Sequence, residues 1–177
     1  GAIDIVLAKP IDRLRVFLGK YVGGLALYAA AIAITYALIF MGVGLRTGVW
    51  HLGIFLVMPM QVFAAAVLYA VLAALGVVSR SSTLCLVVGL FFYVVVDGIV
   101  AGLVGMQQMG AFVDFPALEK VSVMLRWGMP NFGLLKSNAA ASVLNIPVMQ
   151  WQPFLVAAAW LLAAIGFGYW RFSRTDY

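Results

Sequence analysis

The sequence predicts an all-α polytopic membrane protein with four transmembrane helices. Of its 177 residues, 66% are hydrophobic and 10% charged, a balance that no water-soluble domain of this size hides in one core. Long apolar runs fall at about 21–45, 52–78, 83–105 and 153–170, and roughly 20 residues of helix cross a hydrocarbon layer. The runs are apolar on every face and do not alternate in segments of about ten residues, which argues for helices and against a barrel. With no linker of low complexity and no internal repeat, residues 1–177 are expected to form a single membrane domain.

The first segment, residues 1–20, is basic and contains Pro10. Proline interrupts a helix, so a short interfacial helix is expected to turn at Lys9 and Pro10, with Asp12 capping the helix that becomes the first span. Ile3, Ile5, Val6, Leu7, Ile11, Leu14 and Phe17 give this segment an apolar side, which suits a docking surface and a plain membrane anchor equally well. Gly19 and Gly23, and further on Gly98 and Gly102, are spaced four apart, beside an alanine ladder from Ala26 to Ala37. Small residues at this spacing predict close helix packing in lipid. In the second span, Pro59 and Gln61 predict a local kink. Cys85, the one cysteine, lies in the third span and reads as a small membrane hydrophobe.

Residues 106–152 are too polar for a span and too apolar for a free linker. They are expected to form short surface-lying or re-entrant helices. Asp114 is placed to cap one through Trp127, with Pro116 in its first turn and Leu118, Val121 and Leu125 on one face. After the break GMPNFG, Ser137 or Asn138 is placed to cap a second, which stops before Pro147. The segment reads either as a connector resting on the interface or as a gate over an exit path.

Four spans put both chain ends on one side. That side holds Lys9, Arg13, Arg15, Lys20, Arg80, Arg171 and Arg174; the other holds Arg46, Lys120, Arg126 and Lys136. The excess predicts cytoplasmic ends. The net charge of +5 is then juxtamembrane and attracts anionic lipid, so it is no argument for nucleic acid. Trp50, Trp127, Trp151 and Trp170 fall near span ends or in the loop, as interfacial anchors do. The sequence opens on Gly1 without a signal-peptide layout, so the chain is expected to begin mid-protein.

Catalytic chemistry finds few candidates. His51 is the lone histidine, and no thiol pair or acidic cluster stands at metal-ligand spacing. FLGKYVGG lacks the glycine and the Ser or Thr of a phosphate-binding loop, so no bound cofactor is expected on this chain. Asp97 is the exception. It stands roughly 21 Å from the near end of its helix, and an ionisable residue at that depth costs at least about 2.5 kcal/mol unless protonated, paired or facing water. Tyr93, one turn earlier, is placed to share a hydrogen bond with it. Asp97 reads as the lining of a substrate path or subunit seam, or as a hydrogen-bonded acid that fixes packing.

The opening stretch GAIDIVLAKPIDRLRVFLGKYVGG resembles a segment, G-x-I-x-x-x-L-x-K/R-P-I/V-x-R followed by L-G-K-Y/F-x-G, of permease subunits of type-two ATP-binding cassette (ABC) exporters, including bacterial permeases linked to multicopper-enzyme maturation. Leu7, Lys9, Pro10, Ile11 and Arg13 match its core, Asp12 stands where Ser or Thr is more usual, and Gly19, Lys20 and Gly23 match its exit. MPNFGLL, containing Pro130, Asn131 and Phe132, is similar to the family's outer-loop motif, and RFSRTDY to its terminal tail. The resemblance implies a cytoplasmic coupling helix at residues 7–13 docking on a separate ATPase subunit that carries ATP and Mg. It also implies a homodimer or a sister permease, a bacterial or archaeal plasma membrane, and two further spans upstream. The function it implies is export coupled to ATP hydrolysis on the partner. The rival from another class is a non-transporting membrane anchor or scaffold.

Overall fold

A computed structural model describes residues 13–110, 115–143 and 150–174. Helix α1 runs unbroken over Arg13–Thr47, 35 residues without a proline. At 1.5 Å per residue it reaches roughly 52 Å, longer than a hydrocarbon layer of about 30 Å, so its charged first turns project past that layer. Gly48, at φ +72°, closes it in the left-handed conformation, its amide bonding to the Gly44 carbonyl at 2.9 Å, a position that favours glycine. A 3-10 turn over Leu52–Leu56 leads into α2, Val57–Ser79.

Arg80 adopts φ 53° and Ser81 caps α3, its hydroxyl accepting from the Leu84 amide at 3.3 Å. Helix α3, Ser82–Phe91, passes through a π-helical turn, Phe92–Val96, into α4, Asp97–Gln108. Helices α5, Pro116–Gly128, and α6, Phe132–Val143, follow, and α7, Gln152–Ser173, completes the chain with Pro153 in its first turn.

Among the described residues, four stretches are long and apolar enough to cross a membrane: Leu14–Thr47, Leu52–Ser79, Ser82–Gln107 and Gln152–Ser173. No strand occurs among the described residues. The protein is therefore an all-α polytopic membrane protein. Arg13, the Ser79–Ser82 turn and Ser173 share one end of the bundle, here the proximal end. Thr47, Leu52, Gln108 and Gln152 mark the distal end.

Helix α2 is central. Val67 of α2 and Ala157 of α7 are fully buried against each other's surroundings, and Phe132 and Leu135 of α6 complete that core, ringed by Phe63, Phe92, Phe154 and Trp160. Helix α1 attaches outside this core. The Tyr21 hydroxyl donates to the Ala66 carbonyl at 2.7 Å, the Tyr21 and Tyr69 rings stack at 5.3 Å, and Phe17 meets Phe172 at 5.8 Å.

Pro59 is the third residue of α2 and stands just after the 3-10 turn over Leu52–Leu56, a change of helical type beside the proline. One expectation changes here. The glycines expected to seat helices, Gly19, Gly23, Gly98 and Gly102, have nothing within 4 Å of where a Cβ would stand. Close approach falls instead on Gly24, covered by the Tyr69 ring, and on Gly168, where a Cβ would meet Phe17 at 3.1 Å and Ala74 at 3.3 Å. Spacing alone does not say which face of a helix meets its own bundle.

The Ala157→Leu substitution, at a position with 0% exposure, forces α2 and α7 apart at an expected cost of about 1–3 kcal/mol. Heating the detergent-solubilised protein and following its monodisperse peak should show a lower midpoint, whereas Leu162→Ala, at a site 71% exposed, should leave the midpoint nearly unchanged.

Candidate functional site

Helices α5 and α6 form a hairpin that enters the bundle from the distal end. Phe132 and Leu135 belong to the core with Val67 and Ala157, and the Phe132 ring lies 6.5 Å from Phe92 and 6.1 Å from Tyr93. Asp97, which holds the hairpin, is ten residues from Gln107, roughly 15 Å down the span. From that depth α6 climbs back. Asn138 pairs with the Gln150 backbone, donating to its carbonyl at 2.9 Å and accepting from its amide at 3.3 Å, and His51 Nε2 lies 3.1 Å from the Val143 carbonyl oxygen.

A helix that begins inside a bundle presents unpaired amides there. The amides of Phe132 and Gly133 donate to Asp97 Oδ1 at 2.9 and 3.3 Å, and that of Leu134 to Asn131 Oδ1 at 2.8 Å. Asp97 is 8% exposed and Asn131 2%. Pro130, also buried, has no amide hydrogen to satisfy, which suits a turn shielded from water. The carbonyls that end α5 are met from α7: Trp160 Nε1 donates to Gly128 at 2.8 Å and Gln152 Nε2 to Arg126 at 2.8 Å. Arg126 Nε in turn donates to Gln152 Oε1. The motif residues Pro130, Asn131 and Phe132 thus build the hairpin tip.

Several expectations are corrected by this geometry. Asn131, not Ser137 or Asn138, caps α6, which starts six residues before Asn138; glycine and proline at GMPNFG mark a tight turn and not a long break. The cap position of α5 is Phe115, with no side-chain bond, while Asp114 lies outside the described residues. Leu118 and Val121 are 42% and 47% exposed and Ser122 is buried, an arrangement compatible with a helix whose apolar face rests on the membrane interface.

Tyr93 does not bond to Asp97. The π-helical turn between them shifts the helical register, and the Tyr93 hydroxyl instead accepts from Lys136 Nζ at 2.6 Å, with Nζ 4.6 Å from the ring centroid. Lys136 thus reaches from α6 to the π-helical turn while its side chain stays exposed. Its sequence neighbours gave no sign of this, since the placement depends on where the hairpin tip docks. Trp160 was likewise missed, reading as one more apolar residue of the last span.

Lys136 and Tyr93 line a cavity of about 320 Å³ between α1, α2 and α6. Gly24, Leu25 and Tyr28 form its α1 wall, Gln61, Ala64, Leu68 and Leu72 its α2 wall, and Phe132 and Ala139 its floor on α6. Of the residues expected to contact a partner, Leu7, Lys9, Pro10, Ile11 and Asp12 lie outside the described residues, and Arg13 is described only as the first residue of α1. Among the described residues no group of three His, Cys, Asp or Glu side chains could hold a metal ion.

A bundle of four candidate spans, with a half-open apolar cavity and an inserted hairpin anchored by one acid, defines a polytopic membrane protein. The chain belongs to the ABC-2 family transporter proteins, whose family model matches residues 1–177. It is accordingly a permease component of an ABC transporter, not in itself an enzyme, and an ABC ATPase is its implied partner. Comparison with curated proteins and with solved structures gives no match.

Replacing Asp97 by Ala leaves the buried Phe132 amide without its acceptor, at an expected cost of about 1–3 kcal/mol. Hydrogen exchange measured by mass spectrometry should quicken over residues 131–135 while residues 62–75 of α2 stay protected. Asp97→Asn, which keeps a carbonyl oxygen, should lie between wild type and Asp97→Ala; equal exchange in all three would remove Asp97 as the hairpin's anchor.

Proposed function

We propose that this chain is the membrane-spanning subunit of an ABC exporter, driven by a separate ATPase subunit that docks on residues 7–13 from the cytoplasmic side. The observation that carries the reading is the family match over residues 1–177, joined to the continuity of α1. Among the described residues that helix runs unbroken from Arg13, a residue of the segment resembling a coupling helix, to Thr47. It also supplies the cavity wall at Gly24, Leu25 and Tyr28.

A push on the proximal end of such a helix is transmitted along its length, since no proline or π turn interrupts its ladder of hydrogen bonds. The contacts that move with it include the Tyr21 bond to Ala66, the Tyr21–Tyr69 stack and the Phe17–Phe172 pair toward the proximal end, and the Phe40–Phe55 pair at the distal end. The α2–α7–α6 core behind the cavity stays fixed while the α1 wall moves. ATP-driven closure on the partner would thereby widen or narrow the cavity, and the α5–α6 hairpin closes its distal side.

Two copies, or this chain with a sister permease, would complete the transporter. The faces carrying Gly19 and Gly23 on α1, and Gly98 and Gly102 on α4, have no described residue within 4 Å of where a Cβ would stand and suit close contact with another helix in lipid. Both chain ends are then cytoplasmic, in a bacterial or archaeal plasma membrane.

The test is affinity purification of the tagged full-length protein from native membranes in mild detergent, with and without the double substitution of Pro10 and Arg13 by Ala. A soluble protein with a phosphate-binding loop should co-purify with wild type and be lost from the variant, which should still insert and elute as wild type. If no ATPase accompanies the wild-type protein while other transporters in the same extract stay assembled, the scaffold reading takes its place.

A further inference from the structure

The Lys136 ammonium is the one charged group lining the cavity. Its nearest partner is neutral: Tyr93, through the hydroxyl at 2.6 Å and the ring at 4.6 Å. Among the described residues it forms no ion pair. Asp97, one helical turn from Tyr93, is turned to the amides of Phe132 and Gly133. The Lys136 side chain is exposed at the open side of the cavity, so an incoming anion can reach it directly and gains its charge-assisted hydrogen bonds beside apolar walls.

The rest of the cavity is of a different character. Leu25, Ala64, Leu68 and Leu72 are apolar, and its volume of about 320 Å³ falls at the lower end of the roughly 300–1,000 Å³ typical of small-molecule sites. Tyr28 and Tyr93, on opposite walls, keep 41% and 39% of their surface exposed, so the cavity is open on one side and a chain longer than the cavity can trail out between the helices. Gln61, which makes no hydrogen bond to a described residue, and the Tyr28 hydroxyl add neutral polar groups on its walls.

We propose that this cavity binds a single-headed anionic amphiphile, its carboxylate or phosphate on Lys136 and Tyr93 and its hydrocarbon chain along Leu25, Ala64, Leu68 and Leu72. The proposal rests on the permease reading only for the role of the bound molecule, which becomes cargo. Binding itself requires no ATPase. A cationic or doubly charged polar solute would meet either repulsion from Lys136 or walls that offer no second charge. A neutral hydrocarbon would leave the ammonium uncompensated.

The measurement uses the full-length protein in nanodiscs of phosphatidylcholine, which has no net charge, with 11-(dansylamino)undecanoic acid as the probe. Energy transfer from protein tryptophan to the dansyl group reports binding, and empty discs give the partition background. Wild-type protein should bind the acid saturably and about tenfold or more tighter than its methyl ester, since a hydrogen bond to a charged group exceeds a neutral one by about that factor.

The Lys136→Gln substitution should abolish the preference for acid over ester, and Lys136→Arg should retain it. Equal affinity of acid and ester for the wild-type protein overturns the proposal without reference to any variant. So does an undiminished preference in Lys136→Gln. Failure of the ATPase to co-purify, by contrast, would remove the permease coupling and leave this binding result standing.

Discussion

The structure turns on the bonds from Asp97 to the backbone amides of Phe132 and Gly133. A helix cannot begin among spanning helices unless its first amides find acceptors, because neither lipid nor apolar side chains supply them. Asp97 supplies two and Asn131 a third, while Trp160 and Gln152 satisfy the carbonyls on the other arm of the turn. With both sides of the turn satisfied, Phe132 and Leu135 can reach the core beside Val67 and Ala157. Without that anchoring the cavity would lose its α6 floor.

The molecule is therefore asymmetric in how firmly its parts are joined. Helices α2, α6 and α7 share one buried core, whereas α1 meets its neighbours outside that core, through Tyr21, Gly24 and Phe17 proximally and Phe40 distally. A helix joined outside the shared core is a mechanically useful arrangement, since relative motion then has a preferred place to occur. The cavity lies along that seam, with Gly24, Leu25 and Tyr28 on its α1 side. An anionic occupant on Lys136 would bridge the core side of this seam to whatever α1 presents, so its binding and the position of α1 would be coupled.

The polar groups inside the bundle serve two separate ends. Asp97 was legible in the sequence as an expensive residue in need of an explanation, and the structure gives it a backbone partner 35 residues away. Lys136 was read as a loop charge because its own neighbours, Leu135 and Ser137, say nothing of depth. Both assignments follow from one fact, the docking of the hairpin tip. Its motif residues Pro130, Asn131 and Phe132 were singled out by resemblance, while their physical roles, a turn without an amide hydrogen, a cap and a core ring, became visible only in place.

The sequence by itself determined the class and the spans: hydrophobicity on every face of four long runs leaves lipid-exposed helices as the one economical solution, and this depends only on composition and length. It also marked the breaks, since glycine and proline act on their own backbone. What the tertiary structure alone decided is which polar residues meet. The partnerships of Asp97 with Phe132, Lys136 with Tyr93, and Trp160 with Gly128 join residues 32 to 43 positions apart. In a chain so uniformly apolar, periodicity gives no inward face to read; facing is set by where a few hydrogen-bonding groups can satisfy one another away from water.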